Sequence, residues 1–269
     1  MHTFNKLALA AGVSAMMVWA APVVAAVDLS AETRAYREFV IGQIDELEKG
    51  TRQFAEALAA GNVQEAKQLY PRIRMYYERS EPIAESFGDL DPRIDAREAD
   101  LEKDQIWEGF HKIEKVLWTQ NTTKGTEETA KKLLDDIKEL RAKVPTVEVT
   151  GELMVQGAVD LLNEVSTTKI TGEEEIFSRT DLYDFRANIE GAEKIFDLLS
   201  PRLKEKDAKL VQTLEQRFAA VNSLLDRYKV GEQDYKPYTE LSNADTRQLA
   251  EAVNKLGEPL AQMGVILAP

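Results

Sequence analysis

The sequence has no cysteine and only two histidines, His2 and His111, in 269 residues. Without cysteine there is no disulfide, no thiolate metal ligand and no thiol nucleophile, so stability has to come from a packed core. A His-Glu-x-x-His zinc-protease motif needs a second histidine that does not exist near His111, and no serine has a histidine partner in a recognisable catalytic motif. Convincing strand-like alternation is absent, so Gly151 and Gly157 have no preceding strand to make them a phosphate-binding loop. Low-complexity content is negligible. Positive charge is also short, with 34 basic residues against 47 acidic ones and a net charge of −13. That balance argues against nucleic acid or an anionic membrane surface as a partner.

Long hydrophobic runs are missing too, with one exception at the start. Lys6, the apolar stretch Leu7 to Ala21 and the small residues Val24-Ala25-Ala26 read as a secretory signal over residues 1–26. The apolar run falls short of the ~20 residues a membrane span needs. With no cysteine to carry a lipid, a lipoprotein anchor is excluded, and the expectation is a free periplasmic protein with no membrane insertion. Lys6 is the single charged residue before Val27, so the remainder carries 33 basic and 47 acidic residues, a net charge of −14. Such a surface suits cation capture, although most charge of this kind is solvated helix face.

What is present is helical periodicity almost throughout, and the fold class expected is all-α. A first helix is expected from Ala31 to Ala60, ended by Gly61, and a second from Asn62 to Phe87, with Glu65 as capping partner and a kink or break at Pro71. Residues 88–100 read as an aspartate-rich loop. Helices follow over 104–118 and 126–143, and after Pro145 over 148–168, 180–199, 204–229 and 243–267, punctuated by Gly172, Pro201 and Gly231. Four helices before Pro145 and four after it suggest two tandem antiparallel four-helix bundles, residues 27–145 and 146–269. Nothing in the pattern demands more than a monomer.

The remaining histidine sits in Gly109-Phe110-His111-Lys112-Ile113-Glu114, where an imidazole and a carboxylate three apart leave one helix face. Glu78 and Glu81 are likewise three apart, and Asp89, Asp91 and Asp95 lie between the two pairs. Inward carboxylate and imidazole pairs on facing helices are how bundles build iron and manganese sites. Oxygen donors with one nitrogen suit iron, manganese, calcium or zinc. Spacing alone does not separate such a site from a solvated pair in which Glu114 meets Lys112 or Lys115. Tyr76, Tyr77, Trp107, Phe110 and Trp118 flank the acidic residues and are expected to be core rather than a sugar-stacking surface.

The blocks Tyr77-Glu78-Arg79, Glu81-Pro82-Ile83-Ala84-Glu85, Phe87-Gly88-Asp89-Leu90-Asp91 and Gly109 to Trp118 resemble the imelysin-like domain of the EfeO/EfeM family. Thr168 to Glu175 and Thr180 to Asn188 resemble that domain's second block. The resemblance implies an iron-uptake component of two four-helix bundles, capturing Fe(III) or Fe(II), with Cu(II) and Zn(II) as other cations. It implies as partners an EfeU-type permease and an EfeB-type haem peroxidase. Its Gly-x-His-x-x-Glu motif places the metal on His111 and Glu114, with further ligands carried over to Glu78, Glu81, Asp95 and Glu174. The N-terminal cupredoxin domain of longer members has no counterpart here, and the peptidase label attached to imelysins has no catalytic constellation behind it. A similarity to an EfeO-like alginate-binding protein supplies the alternative, capture of an acidic polysaccharide. That reading needs a bridging cation or a basic cleft built from Arg72, Arg74, Arg79, Arg93 and Arg97.

Overall fold

Caps, glycines and one decisive proline set the boundaries of the helices, which a computed structural model describes over residues 27–268. The expected export signal, residues 1–26, lies outside the described residues. The elements are α1 (Ser30–Ala59), α2 (Val63–Glu78), α3 (Leu90–Asp95), α4 (Phe110–Lys115), α5 (Glu127–Lys143), α6 (Gly151–Thr167), α7 (Asp181–Lys206), α8 (Ala208–Asp226) and α9 (Asn243–Leu267). Between α8 and α9, β1 (Lys229–Val230) and β2 (Asp234–Tyr235) form a small antiparallel hairpin, the one sheet among the described residues. The fold is all-α.

Local chemistry explains most of the ends. Asn62 caps α2 by accepting from the Glu65 backbone N–H at 3.2 Å while its amide donates to the Glu65 carboxylate at 2.7 Å. Asp207 takes the Leu210 N–H and opens α8, and Ser242 forms a capping box with Asp245 at the start of α9. Pro71 does not break the helix, for α2 runs through it with Tyr70, Ile73, Arg74, Tyr77 and Glu78 buried around it. The helix stops instead before Pro82, which denies the next turn a donor and disfavours a helical Glu81. Residues Glu81–Phe87 continue as a tighter 3-10 segment. Pro201 likewise lies inside α7, and the break comes at Asp207.

Two further boundaries differ from expectation. The stretch read as a loop contains α3, because Leu90 and Ile94 point one turn apart into the core. The histidine helix begins at Phe110 and not at residue 104. Gly109 holds φ +84°, a left-handed conformation that an L side chain rarely adopts and that cannot continue a helix. The helix leaves through a π turn, Val116–Gln120, and ends on left-handed Asn121.

α1 packs on α2 and α5, with α3 and α4 against α5; α6, α7, α8 and α9 each pack on the next, and α9 closes back on α6. The proposed division at residue 145 falls in the turn Val144–Thr146 between α5 and α6. The two groups meet where α2 lies along α7 and where segment 81–87 rests on α6. One consequence is the burial of Asp181 through Ile189 without a break, so the first turns of α7 are covered on every side. Among the described residues no helix is long and apolar enough to cross a membrane.

The contact of segment 81–87 with α6 depends on Gly157, where a β-carbon would lie 1.7 Å from the Pro82 carbonyl oxygen. Gly157→Ala is therefore expected to destabilise the protein by about 2–3 kcal/mol, the usual cost of overpacking. Urea unfolding followed by circular dichroism reads this directly, and an unchanged midpoint would show that this segment is not seated on α6 at Gly157.

Candidate metal centre

At the meeting of α2 and α7 the chain buries a network of charged side chains around Arg74, whose exposure is 0%. Position 74 falls one helical turn before Glu78, so the guanidinium Nη2 reaches Glu78 Oε1 at 2.5 Å along the same face. It also donates to Asp95 Oδ1 and, at 3.2 Å, to Glu174 Oε1, while Nε lies 2.5 Å from Glu175 and 3.5 Å from Asp184. The rings of Phe110 and Tyr70 stand 5.7 and 6.0 Å from its central carbon. A second buried cation, Lys169, lies 3.1 Å from Glu78, 2.9 Å from Glu81 and 3.8 Å from Glu174. Asn188 of α7 donates to Glu78 at 2.9 Å and to Glu81 at 2.6 Å.

α4 delivers His111 and Glu114 to the other side of this network. Gly109 starts the helix against Ile94, where a β-carbon would come within 2.2 Å of the Ile94 carbonyl oxygen, and so the helix sits close behind Asp95. His111 Nδ1 donates to Glu114 Oε2 at 3.1 Å. The other Glu114 oxygen accepts from the backbone N–H groups of Phe177 and Ser178 at 3.0 and 2.7 Å. Both oxygens of Glu114 are thus engaged, one orienting the imidazole and one holding the loop that carries Glu174 and Glu175. His111 Nε2 is buried and has no hydrogen-bond partner; it faces Asp95 Oδ1 at 3.6 Å and Glu174 Oε1 at 3.8 Å.

Charge in this interior is unbalanced. Glu78, Glu81, Asp95, Glu114, Glu174, Glu175 and Asp184 are met by Arg74, Lys169 and His111, with Arg97 reaching Glu174 at 3.4 Å. Burial raises Glu175 and Asp184 well above the usual carboxylate range despite the attraction of Arg74. Burial also lifts Asp95 to about 6, against the pull of Arg74. Burial and the Arg74 charge oppose protonation of His111, but the Glu114 hydrogen bond and the negative charge of Glu174 and Glu175 beside the ring outweigh them and lift it to about 10, so the ion-free ring carries a proton near neutral pH. For Glu174 the cations win over burial, and its carboxyl is held far below the usual range by Lys169, His111 and Arg74. The Glu175 and Asp184 carboxyls, raised this far, hold their protons near neutral pH, and an added cation would let them ionise, since buried charge is tolerated only when paired.

Each residue expected at the site therefore lies in one connected network, with different neighbours. Asp95, His111 and Glu174 bring ligand atoms within 4.8 Å of one another, and so do His111, Glu114 and Glu175. Glu78 and Glu81 face Lys169 and Asn188 and stand apart from His111. Asp95 and Glu81 are partly exposed, at 12% and 17%, where Glu78, Glu114 and Glu175 are at 0%. Sequence reasoning missed Glu175 and Asp184; the run Glu173-Glu174-Glu175 and the acidic pair Asp181 and Asp184, three apart, were the available signals.

The arginines considered for a basic cleft toward an acidic polysaccharide are each paired with carboxylates. Arg74 is buried, Arg72 pairs with Asp234, Arg79 with Glu190, Arg93 with Asp136 and Glu139, and Arg97 with Asp100, Glu173 and, at 3.4 Å, Glu174. Each guanidinium is thus matched by carboxylates, with Arg72 the most exposed of the five at 47%. Of the aromatic residues, Tyr77 and Phe110 are core, Tyr76 and Trp118 pack partly buried against it, and the Trp107 indole N–H donates to the Ala96 carbonyl at 2.8 Å.

The imelysin family model matches residues 32–263 of the chain. A protein of Staphylococcus haemolyticus (strain JCSC1435) named "Efem/EfeO family lipoprotein" is 52% identical over 242 residues, covering 88% of this chain and 84% of the relative. A protein of the same name from Staphylococcus aureus (strain MSSA476) is 52% identical over 243 residues, 89% of this chain and 86% of its own length. These names overturn the expectation of a free periplasmic protein. A lipoprotein is tethered to a membrane through a lipid on a cysteine, and the expectation had rested on the absence of that residue.

Proposed function

The chain belongs to the imelysin-domain Efem/EfeO family, and from that premise we propose that it captures iron at the Asp95, His111 and Glu174 face of the buried cluster and hands it to a membrane permease. Membership supports a role in iron uptake at the level of the family. The observation that supports the site is His111 Nε2, a buried nitrogen without a hydrogen-bond partner, aimed at two carboxylate oxygens under 4 Å away. One imidazole with carboxylates is a donor set for Fe(II) or Fe(III), with Cu(II) and Zn(II) as competitors. Glu114 belongs to the proposal as the carboxylate that orients the imidazole from behind, an arrangement common to metal-binding histidines.

The relatives are named for the Efem/EfeO family and not as peptidases, which supports a binding protein over an enzyme. The hydroxyl beside His111 is the Tyr70 phenol, 3.5 Å from Nδ1, and the serine of the cluster, Ser178, is bonded through Oγ to Glu175 and Thr180. In the proposed scheme an EfeU-type permease receives the ion and an EfeB-type haem peroxidase works beside it.

The test is calorimetric titration of chelator-stripped protein with Fe(III) citrate, Fe(II), Cu(II) and Zn(II). A saturable event is expected with iron, weakening as the solution is acidified, because the ion must displace the proton that His111 holds near neutral pH, and imidazole and carboxylate bind a metal only when deprotonated. Absence of binding by every one of these ions would remove the proposal.

A further inference from the structure

We propose that Arg74 is a resident counter-cation that holds the place of the metal, keeping the ion-free cluster folded and setting iron affinity low enough for release. The inference rests on the reading of Asp95, His111 and Glu174 as the capture site. Two oxygens carry it. Asp95 Oδ1 and Glu174 Oε1, the atoms that face His111 Nε2, are also the atoms to which Arg74 Nη1 and Nη2 donate. A cation arriving between the histidine and these carboxylates must share them with the guanidinium or displace it.

The competitor cannot step aside by losing its charge, because a guanidinium stays protonated under all ordinary conditions. Nor is Arg74 a simple ion-pair partner for one acid. It is fully enclosed, lies 5.7 and 6.0 Å from the Phe110 and Tyr70 ring centroids, and meets carboxylates from α2, α3, the 174–175 loop and α7. Its Nε, 2.5 Å from Glu175, is out of line for a hydrogen bond. Lys169 plays this part less directly, since it reaches Glu174 only at 3.8 Å and lies against Glu78 and Glu81.

Arg74→Gln removes the charge and keeps most of the bulk. If the ion-free variant folds, its melting temperature should fall roughly 10 °C, as expected when a buried ion pair loses one partner. Its iron affinity by calorimetry should rise at least about tenfold, because one fixed positive charge beside the ion is gone. If it does not fold without metal, added iron should restore its helical circular dichroism. A folded Arg74→Gln protein that binds iron no tighter than the parent would overturn the inference, and so would an unfolded one that saturating iron leaves unfolded. Arg74→Lys keeps the charge and should bind close to the parent; tightening as large as that of Arg74→Gln would overturn the charge argument. Failure of the parent itself to bind iron is a separate outcome, which takes down the capture site on which the inference stands.

Discussion

Replacing His111 by alanine should abolish tight iron binding, with a loss of more than about a hundredfold, while Glu114→Gln should lose roughly 10–100-fold, the usual cost of removing an orienting partner. The difference follows from which atoms are free. His111 supplies the one nitrogen donor of the cluster, and its Nε2 has no other partner. Glu114 has no oxygen to spare, with Oε2 on His111 Nδ1 and Oε1 on the Phe177 and Ser178 amides. Glutamine keeps the carbonyl that those amides need and weakens only the grip on the imidazole. Titration of the parent and both variants under one set of conditions decides this, with circular dichroism checking the helices. If Glu114→Gln loses iron as completely as His111→Ala, the ion sits on the Glu114 and Glu175 side of the ring. If His111→Ala binds like the parent, the site is elsewhere in the molecule.

The helices were legible because their signals are local. Gly61 and Asn62 separate α1 from α2 by a cap whose two hydrogen bonds involve residues three apart, and Ser242 starts α9 in the same way. Misreadings arose where packing overrides a local rule. Pro71 lies inside α2 with buried neighbours on both adjacent turns, whereas Pro82, equally buried, stands at the start of the tighter segment that follows the helix. The start of the histidine helix was misplaced because the conformation of Gly109 answers to the Ile94 backbone fifteen residues away.

At the site, spacing identified pairs of acids but not the jobs they do. Glu78 and Glu81 look on paper like the partner pair of His111 and Glu114, yet Lys169 and Asn188 take up their oxygens from residues about a hundred positions later. Arg74 read as one of several surface arginines because nothing in Tyr70-Pro71-Arg72-Ile73-Arg74 shows that position 74 faces inward and position 72 outward. The helical step between Arg74 and Glu78 was the one available clue. Which side of an imidazole remains free is a question about single atoms, and it becomes answerable only once Glu114 is seen to hold Nδ1.

Lys169→Met is the second large effect expected, and it falls on stability. Methionine fills much of the lysine's space, but Glu78 and Glu81 lose the ammonium at 3.1 and 2.9 Å and are left with Asn188 and one contact from Arg74. Removing one member of a buried pair costs about 3–5 kcal/mol, which for a chain of this size is a fall of roughly 10 °C in melting temperature. The pH dependence separates this from simple loss of packing. Burial opposes the charge on Lys169, but Glu174, Glu78 and Glu81 outweigh it, so its pKa in the folded protein lies well above the ordinary value. A raised amine contributes fully below its unfolded pKa of about 10.4 and is lost only as pH climbs through the folded value. The deficit of Lys169→Met relative to the parent should therefore be constant from about pH 6 to pH 9 and shrink only in stronger alkali. A deficit unchanged even in strong alkali would mean that the lysine stem, not its charge, does the stabilising. Melting temperatures equal to the parent's throughout would mean that Glu78 and Glu81 are content without a cation. In that case the charge-based account of Arg74 would weaken with it, since both cations rest on the same excess of buried carboxylates.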